Sequence, residues 1–132
     1  MLLCLPLMAF TCVNIQKVSV LTEVKSGLTL DTLASDYSAV AMVVEEWAQK
    51  SGARSEECDQ FRRVGSPGCR GYKYGYVHIS VVFLPAERRT EIEFKEFGAG
   101  QSPESRAAET QLKAALHSRF PGRVREGILW QQ

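Results

Sequence analysis

Residues 72–97 read YKYGYVHISVVFLPAERRTEIEFKEF, and the way this stretch pairs with itself decides the fold. Aromatic and β-branched residues, which pack well on a pleated surface, dominate residues 72–84 and predict a strand. Pro85-Ala86-Glu87-Arg88 turns the chain, and residues 89–97 alternate again, with Glu91, Glu93 and Lys95 between Ile92 and Phe94. If Leu84 pairs with Arg89, Ile79 falls opposite Phe94 and Val81 opposite Ile92, so the apolar side chains of both strands share one face. A one-residue slip would set Val81 against Glu93 and destroy that face. On the opposite side the same register pairs His78 with Lys95 and Ser80 with Glu93. Taken as one continuous strand, residues 72–84 also put Tyr72, Tyr74 and Tyr76 on that second side, because side chains alternate.

The flanking segments change period. Leu33, Tyr37, Val40, Ala41, Val44, Trp47 and Ala48 recur at three and four residues, the stripe of a helix that begins at Asp31 and ends at Gly52. Ser102-Pro103-Glu104 places a capping hydroxyl, a first-turn proline and an acid in the order that opens a helix. Its stripe is Ala108, Leu112, Ala115, Leu116 and Phe120, and Pro121-Gly122 stops it. Residues 13–25 predict a first strand closed by a turn at Ser26-Gly27, and residues 124–130 a last one. Residues 53–71 predict a loop with a short strand around 61–64. The order is β-α-β-β-α-β, a ferredoxin-like two-layer sandwich in which both helices cover one face of a four-stranded antiparallel sheet. The tyrosine side is then left uncovered.

Composition narrows the function classes. The chain has 132 residues, 16 Lys+Arg against 15 Asp+Glu and 45% apolar residues, enough for one domain with its own core. A net charge of +1 excludes the strongly basic footprint of a phosphate-tracking protein and the core-poor composition of a disordered tail.

Residues 1–10 carry no charge, which matches the apolar region of a secretory leader, so residues 1–12 are read as a leader and 13–132 as the domain. In that setting Cys12 resembles the acceptor cysteine of bacterial lipoproteins, although Ala9, Phe10 and Thr11 depart from that family's Leu, small residue, and Gly, Ala or Ser. The resemblance implies lipidation at Cys12. Cleavage near Thr11, or a buried element in a cytosolic domain, are the alternatives. Removing Cys4 and acylating Cys12 leaves Cys58 and Cys69, which flank a short polar segment rich in Gly and Pro and can approach to the ~6 Å Cα separation of a disulfide. In a reducing compartment both would be free thiols. No CxxC pair or nearby His completes a metal site.

Tyr74-Gly75-Tyr76-Val77-His78-Ile79 resembles the core of the RNP motif of RNA-recognition domains, with Lys73, Tyr72 and Ile79 departing from it. The resemblance implies base stacking on strand aromatics. For catalysis, His78 is the best base, with Glu93 to orient it, but Ser80 two residues away lies ~7 Å off, too far for a nucleophile–base bond.

The expected function is that of a small exported envelope protein, lipid-anchored through Cys12, which binds a protein or small ligand through Tyr72, Tyr74, Tyr76, His78, Glu93 and Lys95. It has no assigned catalytic residue, cofactor or metal. An inhibitor or immunity protein is one form of this class. An RNA-binding module, cytoplasmic and using the tyrosine stripe, is the first alternative, and a small hydrolase centred on His78 the second.

Overall fold

The computed structural model describes residues 21–58 and 68–127. In chain order the elements are β1 (Thr22–Asp31), a 3-10 turn (Ala34–Asp36), α1 (Tyr37–Ser51), β2 (Arg54–Glu56), β3 (Gly68–Tyr74), β4 (Val77–Leu84), a second 3-10 turn (Pro85–Glu87), β5 (Arg89–Gly98), α2 (Pro103–Arg119) and β6 (Val124–Glu126). The strands form one six-stranded sheet in the order β2-β3-β4-β5-β1-β6, with every neighbouring pair antiparallel.

The hairpin register is the one the sequence implies. Leu84 faces Arg89, Val81 faces Ile92 and Ile79 faces Phe94. The end of α1 and the start of α2 also agree. Gly52 adopts a left-handed conformation at φ +83° after α1, and the Ser102 hydroxyl accepts a hydrogen bond from the Ser105 amide at 3.1 Å, with Pro103 in the first turn of α2.

The sheet has six strands rather than four, and the largest departure lies in residues 72–84. These do not form one strand. Gly75, at φ +62°, takes the first central position of a two-residue turn, the place a II′ hairpin gives to glycine, and Tyr74 pairs with Val77 across it. Pairing across such a turn joins residues three apart, an odd offset, so Tyr72 and Tyr74 share a face with Val77 and Ile79, and Lys73 shares one with His78. The segment expected as a loop supplies β2 and the start of β3, joined through Ser55 and Tyr72.

Two smaller corrections concern β1 and α1. Ser26-Gly27 is not a turn but the middle of β1, where the Ser26 hydroxyl donates to Glu109 on α2 at 3.0 Å and the Gly27 carbonyl accepts from the Gly127 amide at 2.8 Å. Helix α1 starts at Tyr37 because Asp31 is still paired with Arg89 in the sheet. Asp36 closes the 3-10 turn by accepting from the Leu33 amide at 2.8 Å, and that hydrogen bond lowers its carboxyl below the ordinary value. The leader, Cys4, Cys12, and the strands expected at 13–20, 61–64 and 128–130 lie outside the described residues.

Both helices pack on one face of the sheet. Val40, Val44, Trp47 and Ala48 of α1 and Ala108, Leu112 and Leu116 of α2 join Leu28, Leu30, Tyr72, Ile79, Val81, Ile92 and Phe94 in a single buried cluster. The Trp47 indole donates to Gln111 at 2.8 Å and ties the helices together above it. At roughly 25 cal/mol per Å² of apolar surface, this cluster is the main favourable term in folding. The other face of the same strands carries the polar residues.

Candidate binding face

The hairpin turn decides which expected site residues meet. Tyr72 is 2% exposed beneath α1, and its hydroxyl donates to Glu45 at 2.8 Å. Burial, followed by that carboxylate, pushes its phenol up to about 12. Tyr74 is half-buried, its ring packed edge-on against Trp47 at 5.5 Å. Tyr76 stands in the turn, 88% exposed. The expected row of tyrosines on an uncovered face therefore does not exist: Tyr72 and Tyr74 point at the helices, and His78 lies on the outer face.

The outer face is also not uniformly open. Glu91 and Glu93, 3% and 4% exposed, are buried in its middle, where Glu91 accepts from the Arg89 guanidinium at 2.9 Å. Exposure increases towards the end of the sheet that holds the β3–β4 turn.

Near that end the register aligns basic side chains across five strands. Arg54 of β2 stands opposite Lys73 of β3, Lys73 opposite His78 of β4, His78 opposite Lys95 of β5, and Lys95 opposite Lys25 of β1. Strands about 4.8 Å apart make this a band roughly 19 Å wide. The next row inward holds Glu56, Gly71, Ser80, Glu93 and Gly27. Its carboxylates place negative charge on the inner side of the band. Glu23, one row towards the sheet end, partly offsets Lys25 at 3.4 Å and Lys95 at 3.6 Å, while Arg54 and Lys73 form no ion pair with a described residue.

His78 and Glu56 bridge the band and the acidic row. Their side chains meet diagonally across β3, with His78 Nδ1 at 2.7 Å from Glu56 Oε2. Glu56, not the expected Glu93, orients the imidazole. The crossing is possible because position 71 carries no side chain: a Cβ there would lie 2.8 Å from the Glu56 carbonyl oxygen and 3.2 Å from that of Glu57. The chain leaving β2 thus crosses directly over β3, and a disulfide joins Cys58 to Cys69 with their Cα atoms 6.0 Å apart.

The arrangement gathers basic side chains at the turn end of the outer face. Among the described residues no hydroxyl or thiol hydrogen-bonds to His78, and no group of three or more His, Cys, Asp and Glu side chains could hold a metal ion. Beside the band stand exposed apolar groups: Phe97, two residues beyond Lys95 on the same face, at 65%, and Tyr76, two residues before His78. Sequence reasoning found His78, Lys95 and Tyr76 but missed Arg54, Lys73, Lys25 and Glu56. The signal was present in Gly75, because a turn there puts Lys73 beside His78. Compared with protein-family models and with curated proteins, the chain matches none.

Proposed function

We propose that this protein is a small exported envelope protein, anchored by lipid at Cys12, that works by binding through the turn end of its outer sheet face and performs no catalysis. The observation that supports the reading best is the basic band from Arg54 to Lys25, bordered by Tyr76 and Phe97. Within it Arg54 and Lys73 form no ion pair with a described residue, so a ligand of opposite charge would find two uncompensated cations there. An inhibitor or immunity protein remains one form of this class.

The Cys58–Cys69 bridge supports export, because disulfides persist in oxidising compartments and are rare where thiols are kept reduced. We further read the core as ferredoxin-like. Without β2 and β3, the strand order β4-β5-β1-β6 with two helices on one face matches that arrangement, and the edge hairpin is an addition.

Intact-mass measurement of the native protein in membrane and soluble fractions tests processing, acylation and bridging together. The expected species is membrane-associated, shortened, acylated and lighter by the hydrogen lost on bridge formation. A full-length, reduced, soluble species would overturn the export reading. Binding is tested by retention of an envelope component on wild type and on Lys73→Glu; unchanged retention would overturn the site.

A further inference from the structure

Three exposed apolar side chains, Leu21, Tyr76 and Phe97, share one end of the sheet with the basic band, while Leu33 and Met42 lie elsewhere. Strand β1 enters there at Thr22, β5 leaves there at Gly98, and the β3–β4 turn closes there around Gly75. Leu21, Tyr76 and Phe97, exposed by 64%, 88% and 65%, lie outermost. Glu23 shares the row of Phe97, and Arg54, Lys73, Lys95 and Lys25 follow one row behind, about 7 Å further in along the strands, so that Leu21, four residues before Lys25, stands about 13 Å beyond them. Behind them come Glu56, whose carboxylate is paired with His78, and the buried Glu93. Arg54 and Lys73, which form no ion pair with a described residue, give this end its uncompensated positive charge.

We infer that this end docks onto a bilayer bearing anionic headgroups, with Leu21, Tyr76 and Phe97 entering the interface while Arg54, Lys73, Lys95 and Lys25 meet the phosphates. The chemistry fits in three respects. Amphipathic aromatic rings are favoured at the headgroup level. Lys and Arg near the surface are attracted by anionic lipid. Tyr76 and Phe97 stand apart from the cations by about the depth, 5–10 Å, to which interfacial apolar groups enter. Glu23 and Glu56 reduce the net charge of the patch, so each half of it, apolar and basic, is needed. The inference rests on the binding face proposed above and names its ligand. It also agrees with an anchor at Cys12: Leu21 follows that residue by nine positions, a span of at most about 30 Å. An acyl chain there would keep this end near the membrane, and the surface contacts would set the orientation of the domain. Among the described residues no helix is long and apolar enough to cross a membrane.

The test uses the full chain carrying Cys12→Ser, so that no acyl chain contributes, and sedimentation with vesicles of phosphatidylcholine alone or mixed with phosphatidylglycerol. We expect binding to the mixed vesicles that weakens with salt, and weaker binding to the neutral ones. Arg54→Glu with Lys73→Glu should lower binding to the mixed vesicles at least about tenfold. Tyr76→Ser with Phe97→Ser should lower it on both vesicle types. Unchanged thermal unfolding shows that the variants remain folded, as expected for exposed positions. Equal binding to both vesicle types, binding insensitive to the charge reversals, or a chain that stays in the supernatant would overturn the inference. A single-stranded oligonucleotide or polyglutamate bound in place of vesicles, and lost in the same variants, would overturn the lipid ligand while leaving the binding face intact. No binding to any of these probes, together with envelope retention unchanged by Lys73→Glu, would overturn both.

Discussion

The two faces of β4 and β5 are built from alternate residues of the same strands, yet different physical terms determine them. On the helix side Val77, Ile79, Val81, Ile92 and Phe94 are no more than 1% exposed and meet side chains from both helices. Here volume decides, since a close-packed interior has no room to absorb a change of even one methylene. On the outer side His78, Ser80, Glu93 and Lys95 are held by the positions of charges on neighbouring strands and by a chain crossing over Gly71. The inner face therefore carries most of the stability, while the outer face carries the row of charges.

The sharpest way to break this comparison is a truncation on the inner face. Ile79→Ala removes a fully buried side chain that pairs with Tyr72 on one side and Phe94 on the other. Loss of transfer free energy plus the cavity left behind should cost about 2–5 kcal/mol, read as a lower urea midpoint with an unchanged slope. His78→Ala, on the neighbouring outer position, should change stability by no more than about 0.5 kcal/mol. Similar losses for the two variants would refute the division of labour.

An intermediate effect is expected where the outer face does carry a packing constraint. Gly71→Val would push a side chain into the carbonyl oxygens of Glu56 and Glu57, backbone atoms that cannot swing aside. Overpacking of this kind costs about 1–3 kcal/mol. Because the displaced carbonyl belongs to Glu56, the His78–Glu56 contact should be lost as well, seen as a change in the His78 imidazole nitrogen resonances. A Gly71→Val protein of wild-type stability, with those resonances unmoved, would show that the crossing is looser than the 2.8 Å approach requires.

How much of this was legible in the sequence follows from range. The β4–β5 register could be read because a four-residue turn and two alternating strands leave only one pairing that keeps Ile79, Val81, Ile92 and Phe94 together. Helix α2 could be read because Ser102, Pro103 and Glu104 act locally. The basic band could not, since Arg54, Lys73, Lys95 and Lys25 become neighbours only through the register of five strands. Strand preference alone places the tyrosines on the outer face, and one glycine overrides it. Propensity across residues 72–84 is strong on both sides of Gly75, but a single left-handed position reverses the parity of everything before it. A candidate site that depends on alternation is only as secure as the continuity of the strand that carries it.

The smallest effect tests that parity directly, through Tyr72, which the turn buries beneath α1. At neutral pH Tyr72→Phe loses the hydrogen bond to Glu45, worth about 1 kcal/mol, while the ring stays in place. The pH dependence discriminates further. Burial and Glu45 raise the folded-state phenol to about 12 from an ordinary value of 10.0, so the folded state holds its proton more tightly than the unfolded chain does. The stabilisation from this group is therefore complete below pH 10.0 and is lost as pH rises from there towards about 12. Denaturant titrations in that window should show wild type losing its advantage over Tyr72→Phe, with the two curves converging. A tyrosine on the outer face would ionise without that linkage, and parallel curves across the window would return Tyr72 to the solvent side of the sheet.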